Sequence, residues 1–167
     1  MTELPVSALP HDLDRAALRA LVADLAERPE RWRHLVRSGE GARHFEQLWR
    51  DDHVDVWVIS WMSGNDTGFH DHDVSQGAVF VVEGEIVEEQ LRLGAGSTEV
   101  RHGAGAAFDF DASHVHRMRQ DGGGAVSIHA YSPPLWRMGA YAVAPDGTLR
   151  RQSISYAEEL RPAEAAA

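Results

Sequence analysis

Two periods of hydrophobic residues divide this chain. Between residues 11 and 28, Leu13, Ala17, Leu21 and Leu25 recur at helical spacing with Leu18 and Val22 beside them, and Arg, Asp and Glu fill the other side. Pro10 and Asp12 suit a helix start, and Pro29 follows its end. A second short helix is predicted over 30–37, carrying Trp32, Leu35 and Val36, before SGEG at 38–41 breaks the pattern. Residues 42–50 (ARHFEQLWR) read as one or two further helical turns that pack Phe45, Leu48 and Trp49.

From residue 54 the period becomes two. Trp57, Ile59 and Trp61 share one face while Val56 and Val58 share the other, so this strand is apolar on both sides and is predicted to be buried. AVFVV at 78–82 and IVEEQLRL at 86–93 read as two more strands with EGE as a tight turn between them. TEVRH, HVHRMRQ and AVSIHAYS follow, separated by glycine-rich turns, and MGAYAV with TLRRQSI forms a last hairpin around PDG. SYAEELRPAEAAA is expected to fray. Many short strands at regular spacing after a small helical start predict a mainly β protein, an antiparallel sandwich or barrel. A single domain over 1–167 is expected, with a helical segment at about 10–50 and the barrel at about 54–155.

Composition removes several function classes. The net charge of −10 disfavours nucleic-acid binding and docking on an anionic membrane. The chain has no cysteine, which excludes disulfides, thiolate metal sites and a thiol nucleophile. Any metal must be held by His, Asp or Glu. No signal peptide or membrane-length apolar run is apparent, so a cytoplasmic protein, a monomer or small homo-oligomer, is expected.

The candidate chemistry lies in histidines. His70 and His72 follow the turn GNDTG, and side chains two apart on a strand point to one face. His114 and His116 repeat the pattern 44 positions later, again after a glycine-rich turn. One such pair describes exposed loop histidines equally well. Two in matching contexts, converging inside a small barrel, predict a metal site for which Zn, Fe, Cu or Ni are all chemically reasonable. Ser127, His129 and Tyr131 share one face of a strand whose other face is Val126, Ile128 and Ala130. Either that polar face meets water, or it lines the barrel as a chain of hydrogen bonds.

HDHDVSQGAVFVVEGEI, then HVHRM, then VSIHAYSPP resemble the cysteine dioxygenase family of thiol dioxygenases, within the cupin superfamily, over about Phe45 to Tyr141, roughly 60% of the chain. Gly64 through His72 fits the first cupin box, although its usual glutamate falls at Gly77. Gly105 through His116 fits the second, with Asp111 and Ser113 in place of the usual proline and glycine. SxHxYSPP is the most specific of these motifs. The resemblance implies a cupin barrel, or jelly roll, with mononuclear Fe(II) held by His70, His72 and His116, leaving His114 as a neighbour. It also implies a relay of Ser127, His129 and Tyr131, and a cis bond before Pro133. The implied reaction inserts O2 into the sulfur of a small thiol such as L-cysteine, giving a sulfinic acid. Substrate contacts would come from Phe45, Tyr131 and a carboxylate grip. The simplest register puts Gln47 at the grip, which resembles the 3-mercaptopropionate dioxygenases, whereas Arg50 follows from a shift of three residues and Arg43 is also near. Gly77 stands where mammalian members carry a cross-linked cysteine. A non-catalytic cupin that binds a small ligand is the competing reading from another class.

Overall fold

A computed structural model describes residues 10–92, 94–158 and 160–162. The chain opens with α1 (Arg15–Ala26), capped by Asp14, whose side chain accepts a hydrogen bond from the Ala17 N–H at 2.8 Å. Leu18, Val22 and Leu25 line its buried stripe. The short helix predicted over 30–37 is instead a pair of 3-10 turns, Pro29–Arg31 and Arg33–Leu35. There Trp32 is drawn inward and donates its indole N–H to the Leu25 carbonyl.

The strands curl into an antiparallel half-barrel. One sheet is ordered β1 (His44–Arg50), β2 (Asp55–Trp61), β8 (Ala125–Ser132), the first half of β4 (Gln76–Arg92) and β6 (Ala107–Phe110). The other carries the second half of β4 with β5 (Gly96–Gly103), then β7 (His116–Arg119), β3 (Phe69–Asp71), β9 (Arg137–Val143) and β10 (Leu149–Ser155). The tight turn expected at 83–85 is therefore absent, and β4 runs on through it into the second sheet. A bulge between Val81 and Glu83 and the left-handed Gly84 (φ 73°) bend the strand where it changes sheets. A Cβ at Gly84 would strike the Gly124 carbonyl, so this corner admits only glycine.

Residues 42–50 are the second correction. They contain strand β1, not helix. Gln47 pairs with Trp57 but Trp49 pairs with Val56, so a bulge at Leu48 inserts a residue and reverses the side-chain parity. Phe45 lines the interior while Leu48 and Trp49 pack outside against the helix layer, an arrangement that imitates helical spacing. The barrel accordingly begins near residue 44.

Strand β2 separates two cores, as its doubly apolar pattern predicts. Val54, Val56 and Val58 join Val126, Ile128, Ala130 and the α1 stripe on the outside. Trp61 joins Val79, Ile86, Phe110, Met118 and Tyr131 between the sheets, with Trp57 and Ile59 packed alongside. Each buried Val or Leu contributes about 1.5–3 kcal/mol relative to exposure. The predicted fraying is also corrected for the described part of the tail up to residue 162. Leu160 is buried in the inner core and its carbonyl accepts from the Arg43 guanidinium at 2.7 Å. The rest of that tail, Glu159 and residues 163–167, lies outside the described residues, as do the N-terminal nine and Leu93. Among the described residues no helix is long and apolar enough to cross a membrane.

Candidate metal centre

His70 sits in the middle of β3, His72 just beyond its end, and His116 at the start of β7, directly paired with His70. Their rings lie 4.7–5.2 Å apart between centroids, and one ligand nitrogen from each falls within 4.8 Å of the other two. All three are buried. Burial, reinforced by the neighbouring imidazoles, pushes His70 and His72 well below the ordinary histidine range. Burial also lowers His116, against the pull of Glu88. The rings are therefore neutral near pH 7, the form in which imidazole binds a metal. His70 Nδ1–H donates to the Gly68 carbonyl at 3.0 Å, which turns its Nε2 lone pair inward. His72 Nδ1 and His116 Nε2 are buried without a hydrogen-bond partner. Buried nitrogens left unpaired are costly, and a shared cation would satisfy them, so the residues fit a metal ion.

Asp71, between the first two histidines, faces the other way. It accepts from Tyr141 Oη at 2.6 Å, Arg151 Nε at 2.7 Å and the Gly139 N–H at 3.1 Å, tying β3 to β9 and β10. Burial alone would raise its carboxyl, but Arg151 and Tyr141 outweigh that and hold it far below the carboxylate range.

A carboxylate that the sequence reading did not single out stands behind His116. Glu88, on the second half of β4, is 1% exposed and accepts from His116 Nδ1 at 2.8 Å, His114 Nε2 at 2.9 Å and His102 Nε2 at 2.9 Å. Burial would raise the Glu88 carboxyl, yet these histidine hydrogen bonds hold it well below its usual value, so it stays charged. A signal was present: with a period of two, Glu88 shares a face with the apolar Ile86. His114 turns to this carboxylate and not to the other two histidines, although Glu88, His114 and His116 also form a compact group.

Across the interior, β8 presents Ser127, His129 and Tyr131, all buried. Ser127 Oγ is 2.8 Å from His129 Nε2, and His129 Nδ1 is 3.0 Å from Tyr131 Oη. Trp61 Nε1–H donates to Ser127 Oγ at 2.9 Å. With Trp61 donating to it, Ser127 Oγ can give its hydroxyl hydrogen to His129 Nε2 in the Nδ1–H tautomer of that ring. In that tautomer the chain would run from Ser127 to His129 and from His129 Nδ1–H to Tyr131, with the Tyr131 O–H left to donate onward. Burial pushes His129 down to about 3 and raises the Tyr131 phenol, so both are neutral across the physiological range. The Tyr131 ring lies 5.1 Å from that of His72.

A cavity of about 70 Å³ lies among His70, His129, Tyr131, Arg43, Phe45 and Trp61. Its walls are otherwise mostly apolar, and Tyr156 and Leu160 of the C-terminal segment close one side. Of the three candidate carboxylate grips, Arg43 is the one that lines it. Arg43 is buried, with its guanidinium 4.9 Å above the Trp61 ring. Gln47 and Arg50 bind Asp55 instead, at 2.8 and 2.6 Å, and fasten the edge strand β1 to β2. Phe45 lines the cavity. The Ser132–Pro133 bond is cis.

Solved structures with this fold include a protein from Thermus thermophilus (17% identical, TM-score 0.54, covering 61% of this chain and 93% of that one). A Klebsiella pneumoniae protein with a double-stranded β-helix domain is 16% identical with a TM-score of 0.53, over 71% of this chain and 91% of its own. A cupin superfamily protein from Desulfitobacterium hafniense is 13% identical with a TM-score of 0.53, over 61% and 87%. At these identities the likeness shows the fold, that of a cupin. No curated protein matches the chain. The profile of cysteine dioxygenase type I matches residues 11–144.

Proposed function

The chain belongs to the cysteine dioxygenase type I family, and from that premise we propose that it is a non-haem Fe(II) thiol dioxygenase that converts a small thiol such as L-cysteine to its sulfinic acid, RSH + O2 → RSO2H. The observation that carries this reading is the approach of two independent sets of residues across the interior, with His70 of one set and His129 and Tyr131 of the other lining the same cavity and the Tyr131 ring 5.1 Å from that of His72. Three neutral, buried imidazoles stand on one sheet and a Ser127–His129–Tyr131 hydrogen-bond chain on the other.

His70, His72 and His116 are the proposed ligands. When bound, Fe(II) supplies the Lewis acidity that converts a thiol to a thiolate and the redox capacity to react with O2. Three neutral ligands leave the ion's charge uncompensated within the ligand set, which favours an anionic sulfur donor. Arg43 would hold the substrate carboxylate, and its planar fork suits that role better than a lysine would. Tyr131 offers its O–H into the cavity because His129, kept neutral by burial, already donates to the phenol oxygen. The apolar walls formed by Phe45, Trp57 and Leu160 lower the local polarity and strengthen these contacts.

A second substrate is favoured by one feature. The cavity lining pairs the Arg43 cation with apolar side chains, and the acid among the described lining residues, Glu158, is exposed. That suits a thiol carboxylate without an ammonium group, such as 3-mercaptopropionate. The test is O2 uptake by Fe(II)-loaded protein, with kcat/KM compared across cysteine, cysteamine and 3-mercaptopropionate. Sulfinate formation from a thiol carboxylate, with cysteamine the poorest substrate, is expected. Absence of O2 uptake with every small thiol, despite bound iron, would leave a ligand-binding cupin as the better reading.

A further inference from the structure

Glu88 lies outside the three-histidine cluster, yet it is among the most fully satisfied side chains in the interior. A carboxylate offers about four acceptor sites. His116 Nδ1, His114 Nε2, His102 Nε2 and Gln90 Nε2 supply four donors, at 2.8, 2.9, 2.9 and 3.1 Å. The β4–β7 pairing sets this up. Gln90 stands opposite His116 and Glu88 opposite Met118, so the carboxylate rises on the interior face beside the histidine ring.

The consequence for His116 is specific. With Nδ1–H committed to a carboxylate, Nε2 carries the lone pair, and that Nε2 is the buried, unpartnered atom facing His70 and His72. His70 is oriented in the same way, but by the neutral Gly68 carbonyl. Only His116, of these two, is backed by a full negative charge. A carboxylate on the far nitrogen of a ligating histidine fixes its tautomer and raises its basicity.

We propose that Glu88 is a positioning residue of the metal centre: it holds His116 as the Nδ1–H tautomer and sends negative charge to the ion through that imidazole. This rests on His70, His72 and His116 being the ligands. The acid missing from the cupin box at Gly77 is thereby restored one imidazole away, where it tunes the site without occupying a coordination position. His114 shares Oε1 with His116, His102 and Gln90 bind Oε2, and together these donors keep the carboxylate charged.

The test is anaerobic Fe(II) affinity, measured by chelator competition on the full-length chain. Glu88→Gln keeps shape and volume but removes the charge, and is expected to weaken Fe(II) binding about 10–100-fold. His102→Asn removes a donor to the same carboxylate without touching His116, and is expected to stay within about threefold of wild type. A purely structural role would lower the thermal stability of both variants and leave the iron affinity of each unchanged. A second measurement needs no variant. Long-range 1H–15N spectra of the metal-free wild type should show His116 as the Nδ1–H tautomer. An Nε2–H tautomer at His116, or Glu88→Gln retaining wild-type iron affinity, overturns the proposal. If iron-loaded wild type oxidised no thiol, the dioxygenase reading would fall while this assignment, read from affinity and tautomer, would stand.

Discussion

The two His-x-His pairs are the same motif in sequence and different devices in space. His70 and His72 both enter the three-histidine cluster. Of the second pair, His116 joins them while His114 hydrogen-bonds Glu88, 23% exposed at its side chain. The difference comes from what flanks each pair. The first is anchored through its middle residue, Asp71, by an ion pair to Arg151 on β10. The second is anchored through its main chain, where the Val115 carbonyl accepts from the Leu91 N–H, and a buried acid waits beside it. A motif of two histidines therefore states only that imidazoles point one way. Which of them can meet a metal is decided by the acids and strands around them.

Removing one member of each pair breaks this comparison most sharply. His116→Ala is expected to abolish stoichiometric Fe(II) binding, because two imidazoles cannot replace three in this geometry. His114→Ala, by contrast, should keep iron within about tenfold of wild type, since its loss reaches the site only indirectly, through Glu88 and the neighbouring rings. Iron content after anaerobic loading and desalting separates them. Loss of iron in His114→Ala with retention in His116→Ala would exchange the roles assigned to the pair.

Phe110 is the ring that joins the two pairs. It stacks on His72 at 4.7 Å and on His114 at 5.6 Å, and lies 4.9 Å from His116. Gly77 makes room for it: a Cβ there would come within 2.6 Å of the Phe110 ring and 3.0 Å of Tyr131. Gly77→Ala should therefore cost about 1–3 kcal/mol by overpacking. The ring cannot yield without pressing on histidines of both pairs, so iron affinity should fall with stability. Chemical denaturation together with iron titration checks this. An alanine variant of wild-type stability would mean that Phe110 moves freely, and that the pairs are not coupled through it.

Much of this was legible in the sequence, and the gaps share a cause. The period-two pattern disclosed β2 and β8 with their correct faces, and the repeated His-x-His disclosed residues that do converge. What stayed hidden depended on contacts between distant segments. The Leu48 bulge disguised β1 as helix by reversing parity within one strand. Gly84 looked like a hairpin turn because a strand crossing between two sheets needs the same left-handed glycine. Glu88 sits in the run Glu88-Glu89-Gln90, which reads as solvated until β7 pairs with it and buries the first acid alone. Arg43 follows a glycine-rich break and gains meaning only when the segment carrying Tyr156 and Leu160 folds back over the cavity.

The smallest expected effect concerns the anchor of the first pair. Asp71 has a folded-state pKa held far below its unfolded value by Arg151 and Tyr141, so its contribution to stability is fully present above the ordinary aspartate pKa of about 4. It is lost as pH falls through the depressed native value, because protonation then costs the ion pair. Arg151→Met removes the guanidinium while leaving Tyr141 and the Gly139 N–H in place. Since Arg151 is one-third exposed, solvent screens part of the pair, and the loss near pH 7 should be about 1 kcal/mol. The variant's deficit should hold from pH 7 down through the ordinary carboxylate range and shrink only as pH approaches the depressed native value, because only there does protonation remove the ion pair from wild type. Urea denaturation at pH 7, 4 and 2 measures this. His114 offers the internal control: its pair has no ion pair at the middle residue, so a substitution of Val115 by Ala should show no such narrowing. An Arg151→Met deficit that stayed constant across the series would mean that Asp71 is held by Tyr141 and the backbone alone, and that the two pairs are anchored more alike than their charges suggest.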